Sequence, residues 1–150
     1  MSNYYNDEIN IISADPNDLP LKPQPASTVL LIRDSQESIE VFMIKRAAAT
    51  NFGNAWVFPG GKVDVEDIQH SKENRYLIAA IRECFEESGV LIAQNNLETL
   101  YSPDNQGDLD LLKEYQKKIN DRKLNFHNFL EELNLKHEFN KLNFFSHWVT

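Results

Sequence analysis

The sequence predicts an α/β fold in which short strands come first and amphipathic helices follow. This prediction depends on two apolar, β-branched runs within residues 26–46 and on a helical repeat of apolar side chains over residues 72–88. The length of 150 residues fits one domain, and a hydrophobic fraction of 41% is enough for a core. Residues 1–25 are polar and carry four prolines, which predicts a loose lead-in to a domain over residues 26–150.

The strands are predicted in the first half of the chain. Ala26–Arg33 and Ile39–Arg46 flank five polar residues, a pattern typical of a β-hairpin. Ala47–Asn54 is small and polar and predicts a loop. Trp56–Phe58 then predicts a short buried strand, which ends at Pro59 because proline interrupts the hydrogen-bonding ladder.

The central helix is predicted over Lys72–Ser88. Ser71 is suited to cap its N-terminus, and Gly89 is suited to end it because glycine adopts the left-handed conformation at low cost. The apolar side chains recur at helical spacing and form the face expected to pack on the core: Leu77, Ile81, Cys84 and Phe85.

Further strands and helices are expected after the central helix. Val90–Ala93 and Leu97–Tyr101 have the composition of strands, and Asp108–Asn120 has the periodicity of a helix. Asn125 is placed to cap another helix, and Leu142–Thr150 predicts a closing apolar strand. Because an unpartnered apolar strand is prone to aggregate, we expect the chain to be a C-terminally truncated fragment.

Charge and cysteine content exclude several classes of protein. A net charge of −8 argues against a general binder of nucleic acid or of anionic membranes. No apolar run approaches the roughly 20 residues of a transmembrane helix. Cys84 is the only cysteine, so an intrachain disulfide cannot form, and we expect a cytoplasmic protein.

Three carboxylates are predicted on one side of the central helix, near its C-terminus. Glu83 precedes Glu86 and Glu87 by three and four residues. Each like-charged pair costs about 0.2–0.5 kcal/mol, and each acid at the electronegative helix end costs about 0.3–1 kcal/mol. A divalent cation with oxygen ligands would offset both penalties, so these acids are candidate metal ligands.

The segment Arg82–Val90 resembles the second half of the Nudix box, a motif written G-x5-E-x7-R-E-U-x-E-E-x-G-U with U apolar. Gly61 is similar to its first glycine, but Gly61 and Arg82 enclose 20 residues, seven more than the motif has. The counterpart of the first glutamate is therefore open, and four residues are candidates: Glu66, Asp67, Glu73 and Asn74.

The turn from Phe58 to Asp64 and the stretch Lys123–Thr150 resemble the Nudix branch that includes the peroxisomal acyl-CoA diphosphatase. The resemblance implies an α/β/α sandwich around a mixed β-sheet, here incomplete at its C-terminus. It also implies Mg²⁺- or Mn²⁺-dependent hydrolysis of a nucleoside diphosphate linked to another moiety, with CoA or acyl-CoA as the substrate of this branch. The alternatives are an ADP-ribose or dinucleotide diphosphatase and a Nudix-fold binding module without turnover.

The resemblance also implies a set of site residues. The expected metal ligands are three carboxylates and one backbone carbonyl: Glu83, Glu86, Glu87 and Gly61. Arg82 completes the catalytic set by pairing with the acids. The candidates for contact with the substrate are basic side chains and the glycine turn: Lys45, Arg46, Gly60, Gly61 and Lys62. The expected partner is a small-molecule substrate, with a homodimer left open.

The histidines and aromatic residues give weaker signals. His70, His127 and His137 show no spacing typical of metal ligands. Phe52 and Trp56 are candidates to stack on a nucleobase, with packing in the core or a loop as the alternative.

Overall fold

A computed structural model describes residues 23–48 and 53–148. Its N-terminal half contains three two-stranded antiparallel units. Strand β1 (Ala26–Thr28) pairs with β6 (Gly60–Lys62), β2 (Ile32–Asp34) pairs with β3 (Ile39–Val41), and β4 (Ile44–Lys45) pairs with β5 (Trp56–Val57). A fourth unit joins β7 (Ala93–Gln94) to β8 (Lys136–His137).

The predicted hairpin is confirmed at its centre, β2–β3. Its turn is closed by Ser35, whose backbone N–H donates to the Ser38 carbonyl at 2.9 Å. The outer ends of the two predicted hairpin strands do not pair with each other. The first of them forms β1, which pairs with β6, and the second forms β4, which pairs with β5. Residues 49–52 of the predicted loop, including Phe52, lie outside the described residues.

The prediction that Trp56–Phe58 forms a buried strand is wrong in part. Trp56 and Val57 do form β5, but the Trp56 side chain is 63% exposed. The strand is only partly covered because β5 pairs with β4 alone. Pro59 then interrupts the ladder, since it has no N–H to donate, and its carbonyl accepts from the N–H of Val29 at 2.8 Å.

Between β6 and the central helix the chain forms the short helix α1 (Val65–His70). The central helix, α2, covers Arg75–Ser88, so its predicted start at Lys72 is wrong by three residues. The Ser71 hydroxyl accepts from the N–H of Asn74 at 3.2 Å, which closes a turn before the helix. The predicted end is confirmed, since Gly89 adopts the left-handed conformation with φ of 76°.

The core forms where α2 meets the two helices that follow it, α3 (Gln106–Asn120) and α4 (Phe126–Glu132). Both helices have the asparagine caps that suit their starts, and the predicted cap at Asn125 is confirmed: its side chain accepts from the N–H of His127 at 2.7 Å. Phe85 of α2 stacks on Phe129 of α4, with ring centroids 4.9 Å apart.

The C-terminal end of α2 is held by amide side chains of α3. The Gln116 amide donates to the carbonyls of Phe85 and Glu86, both at 3.0 Å. The Asn120 amide also donates to the carbonyl of Glu86, at 3.1 Å. These bonds satisfy carbonyls that a helix end leaves without a partner, and they fix the backbone at Glu86.

The predicted strand at the C-terminus is wrong for the residues that the structure describes. A short 3₁₀ turn at Phe139–Lys141 is followed by irregular chain over residues 142–148. No strand pairs with this segment in the part of the chain that is described, and its aromatic side chains are exposed.

The strand pairings also differ from the single mixed sheet that was expected. Every pairing among residues 23–48 and 53–148 is antiparallel, and each strand has two or three residues. These short strands pair in twos and give four small units among the described residues. Among the described helices, none combines the length and the apolar character that spanning a bilayer requires.

Candidate functional site

Arg82 is the centre of the network that organises the acids of α2. Its side chain is 4% exposed, although arginine is rarely buried unless it is paired. The guanidinium donates to both carboxylate oxygens of Asp67, at 3.1 and 3.0 Å, and to the carbonyl of Lys62 at 2.8 Å. Its remaining terminal nitrogen, Nη1, lies 3.0 Å from Glu83 and 3.3 Å from Glu86. One cation therefore holds acids from α1 and α2 together with the backbone of β6.

The network selects one of the four candidates for the first glutamate of the box. Asp67 lies six residues after Gly61, is fully buried, and pairs with Arg82 through two hydrogen bonds. Its carboxylate also accepts from the N–H of Asp64 at 2.8 Å. Glu66 and Glu73 are exposed, and Asn74 lies at the start of α2. The contact with Arg82 therefore favours Asp67 for this position.

The glycine turn of β6 lies directly against two of the glutamates. A Cβ atom at Gly61 would overlap the Glu83 carboxylate, so glycine lets this carboxylate lie against the backbone without being displaced. The N–H of Gly60 donates to the Glu87 carboxylate at 2.8 Å. The structure therefore brings Gly60 and Gly61 together with the acids, as the sequence predicted.

The electrostatics of the acids follow from this crowding. Burial raises the pKa of Glu83 and of Glu86, the charge of Arg82 offsets only part of the rise, and neighbouring carboxylates add to it. Burial by itself would lower the pKa of Arg82, but the hydrogen bonds to Asp67 and the surrounding acids outweigh it and raise that pKa. Arg82 is therefore a permanent cation, whereas Glu83 and Glu86 are costly to ionise.

The basic side chains predicted to contact the substrate are less closely tied to the Arg82 network than the acids are. The carbonyl of Lys62 belongs to the Arg82 network, and its side chain is exposed beside the glycine turn. Lys45 and Arg46 are also exposed, and they lie at the end of β4 on the β4–β5 unit. Their contact with substrate stays a prediction.

A family model described as the NUDIX domain matches residues 22–148. The chain belongs to the Nudix family. A Caenorhabditis elegans protein described as "Putative nudix hydrolase 7" is 44% identical to the chain over 75 residues. That alignment covers 49% of the chain and 24% of the relative, so the chain matches about a quarter of the relative's length. No solved structure matches the chain.

Nudix hydrolases generally use a divalent metal such as Mg²⁺ or Mn²⁺. The residues present fit such an ion. Glu83, Glu86 and Glu87 supply the oxygen ligands that Mg²⁺ prefers. The raised pKa of Glu83 and of Glu86 fits as well, because a nearby cation would favour the ionised form of each carboxylate. In the structure these oxygens are held by Arg82 and by the N–H of Gly60.

A second group of possible metal ligands has no signature in the sequence. His70, His127 and His137 come from α1, α4 and β8, and one ring nitrogen of each lies within 4.8 Å of the others. His127 follows His70 by 57 residues and precedes His137 by 10, so no local spacing could have revealed the group. Only the three-dimensional packing of these elements brings the three rings together.

Proposed function

We propose that this chain is a metal-dependent Nudix hydrolase that cleaves the diphosphate of a nucleoside diphosphate linked to another moiety, with CoA or acyl-CoA as the substrate. The observation that carries the proposal is the arrangement of Glu83, Glu86 and Glu87 beside the glycine turn of β6. This arrangement concentrates oxygen ligands at one backbone turn, and Arg82 keeps two of them in place.

The acids have a clear use in such a reaction. A diphosphate is negatively charged and is repelled by a protein with a net charge of −8. A divalent cation held by Glu83, Glu86, Glu87 and the carbonyl of Gly61 would neutralise phosphate charge and lower the pKa of a bound water. One of the three carboxylates, or a nearby acid, would accept the proton of the attacking water.

The other residues hold this arrangement. Asp67 fixes the guanidinium of Arg82 through two hydrogen bonds, and Arg82 in turn restrains Glu83 and Glu86. Gly61 leaves space for the Glu83 carboxylate next to the backbone. The exposed side chain of Lys62 is placed to contact a phosphate near the turn.

The choice of CoA is supported by the resemblance of residues 58–64 and 123–150 to the acyl-CoA diphosphatase branch. The turn itself recognises only the diphosphate, which CoA shares with ADP-ribose and NADH. The selection among these substrates must therefore come from residues outside the acid cluster.

A hydrolysis screen tests both parts of the proposal. The protein is incubated with Mg²⁺ or Mn²⁺ and with acyl-CoA, CoA, NADH or ADP-ribose, and the products are identified by mass. Cleavage of the CoA diphosphate should give two phosphorylated products whose masses sum to that of CoA plus one water. Preference for ADP-ribose or NADH would reject CoA while keeping the reaction class.

Substitution of the acids tests the assignment of the site. Glu86→Gln and Glu87→Gln should each lower kcat by orders of magnitude with little loss of fold, because each removes a charged oxygen ligand while keeping the shape of the side chain. Glu114→Gln is the matched control, since Glu114 is exposed on α3, far from the acids in sequence, and forms an ion pair with Lys118 at 2.7 Å. Turnover close to wild type in the two site variants would exclude these carboxylates as ligands.

A further inference from the structure

Three histidines from separate elements lie close together near Asp67, the buried acid that pairs with Arg82. His70 ends α1, His127 lies in the first turn of α4, and His137 lies in β8. The rings of His70 and His127 stack with centroids 4.3 Å apart, and the ring of His137 lies 5.0 and 5.4 Å from them. A cavity of about 680 Å³ is lined by all three rings.

The buried nitrogens of this cluster lack the partners that buried polar atoms normally have. His127 and His137 are each 9% exposed. Among the described residues, three buried ring nitrogens have no hydrogen-bond partner: Nδ1 and Nε2 of His127 and Nε2 of His137. Most buried polar side-chain atoms in proteins are hydrogen-bonded, so a purely structural role leaves these three atoms unexplained. A metal ion that accepts one lone pair from each ring would account for one nitrogen of His127 and for Nε2 of His137. The other nitrogen of His127 carries the proton of the neutral ring.

The chemical state of the rings also suits a metal. Burial and the neighbouring histidines lower the pKa of His127, and they lower the pKa of His137 to about 4. Both rings are therefore neutral at neutral pH, and metal ligation requires a neutral imidazole. Imidazole nitrogens select ions of the Zn²⁺ type, whereas Mg²⁺ prefers oxygen, so this cluster and the glutamates differ in the ions they favour.

We propose that His70, His127 and His137 form a binding site for a transition-metal ion of the Zn²⁺ class, which ties α1, α4 and β8 together. Zn²⁺ binds imidazole nitrogen at about 2.0–2.1 Å, so the nitrogens of a tetrahedral site lie roughly 3.4 Å apart. The three nitrogens here lie within 4.8 Å of one another and must approach by up to about 1.4 Å. His70 is exposed and has room to turn. A fourth ligand could be a solvent molecule or Asp67, whose carboxylate lies 3.9 Å from Nε2 of His127.

The site would also be linked to the Nudix box. Asp67 lies between the histidines and Arg82, and Arg82 holds Glu83 and Glu86. The proposal does not depend on the proposed function, because the histidines and the glutamates are separate groups of ligands.

The test uses Co²⁺ as a spectroscopic substitute for Zn²⁺ on the whole chain, in the presence of millimolar Mg²⁺ to saturate the carboxylates. The protein should bind one Co²⁺ with the visible absorption of a nitrogen-ligated ion in a four-coordinate site, and Zn²⁺ should displace it. His70→Ala should weaken binding by about tenfold or more, because it removes one ligand from an exposed position that packing does not require.

His147→Ala is the matched control, since His147 is exposed and lies outside the cluster. Its affinity for Co²⁺ should equal that of the wild type. Thermal unfolding without added metal checks that both variants are folded, and Zn²⁺ should raise the midpoint of the wild type and of His147→Ala only. The proposal is wrong if the wild type does not bind Co²⁺ under these conditions. It is equally wrong if His70→Ala binds as tightly as the wild type, or if Glu86→Gln abolishes the binding.

Discussion

The pair formed by Asp67 and Arg82 gives the most direct test of how the acids of α2 are held in place. Asp67 is fully buried and accepts two hydrogen bonds from Arg82 and one from the N–H of Asp64. Asp67→Ala would leave the buried guanidinium without its two-point partner. It would also leave the N–H of Asp64 without this acceptor.

The expected cost follows from these contacts. Removing one partner of a buried ion pair costs about 3–5 kcal/mol. Arg82 keeps the carbonyl of Lys62 and its contacts with Glu83 and Glu86, so we expect the lower end, about 3 kcal/mol. For a chain of this length the thermal midpoint should fall by about 6–12 °C.

The assay is urea-induced unfolding at pH 7, followed by circular dichroism, with thermal unfolding as a second measurement. Glu66→Ala is the matched control, because Glu66 is adjacent in α1 but exposed, and its loss should change stability by no more than about 0.5 kcal/mol. Asp67→Asn keeps the size of the side chain and one acceptor oxygen, so it should cost less than Asp67→Ala.

The reasoning is refuted if Asp67→Ala costs less than about 1 kcal/mol, or if Glu66→Ala costs as much. The first result would mean that the glutamates hold Arg82 without help from Asp67. The second would mean that the loss is not specific to the pair of Asp67 and Arg82. The predicted loss is large beside the roughly 5–15 kcal/mol of total stability typical of a domain.

Three further predictions concern charge and metal. The pKa of Glu86 is raised, so its contribution to stability is present below its unfolded pKa and is lost as pH rises through the folded value. Glu86→Gln should therefore leave the thermal midpoint at pH 7 unchanged or raise it, and a fall of several degrees would contradict this. Millimolar Mg²⁺ should raise the midpoint of the wild type more than that of Glu87→Gln, because a ligand bound only by the folded state stabilises it; equal shifts would reject Glu87 as a ligand. The pKa of His137 is lowered to about 4 from an ordinary 6.5, so its contribution is present above pH 6.5 and is lost as pH falls toward 4. With a chelator present, urea unfolding should show a loss on the order of 3 kcal/mol across that range, smaller in His137→Phe.

The parts of the fold that local chemistry decides could be predicted from the sequence. Gly89 ends α2 because a left-handed residue is required there, and Asn125 starts α4 because its side chain accepts the first free N–H groups. The start of α2 was less certain, because residues 71–74 are all polar. There the Ser71 hydroxyl closes a turn instead of capping the helix directly.

The remaining features depend on contacts between distant residues. Trp56 lies in an apolar run that is typical of a buried strand, but such a run does not show whether another layer of the fold covers the strand. The choice of Asp67 over its neighbours follows from its contact with Arg82, 15 residues later. The three histidines likewise meet only because α1, α4 and β8 pack together.

The separation between Asp67 and Arg82 has a consequence for the entropy of the chain. The two residues are 15 apart, nearly twice the distance between the glutamate and the arginine in the written motif. The entropic cost of closing a loop grows only with the logarithm of its length, about 0.6 kcal/mol for each doubling. The two hydrogen bonds between the side chains can offset that cost, so the length of this segment can change while the ends stay fixed. The segment over residues 71–74 is therefore a place where insertions and deletions should be tolerated without displacing the glutamates.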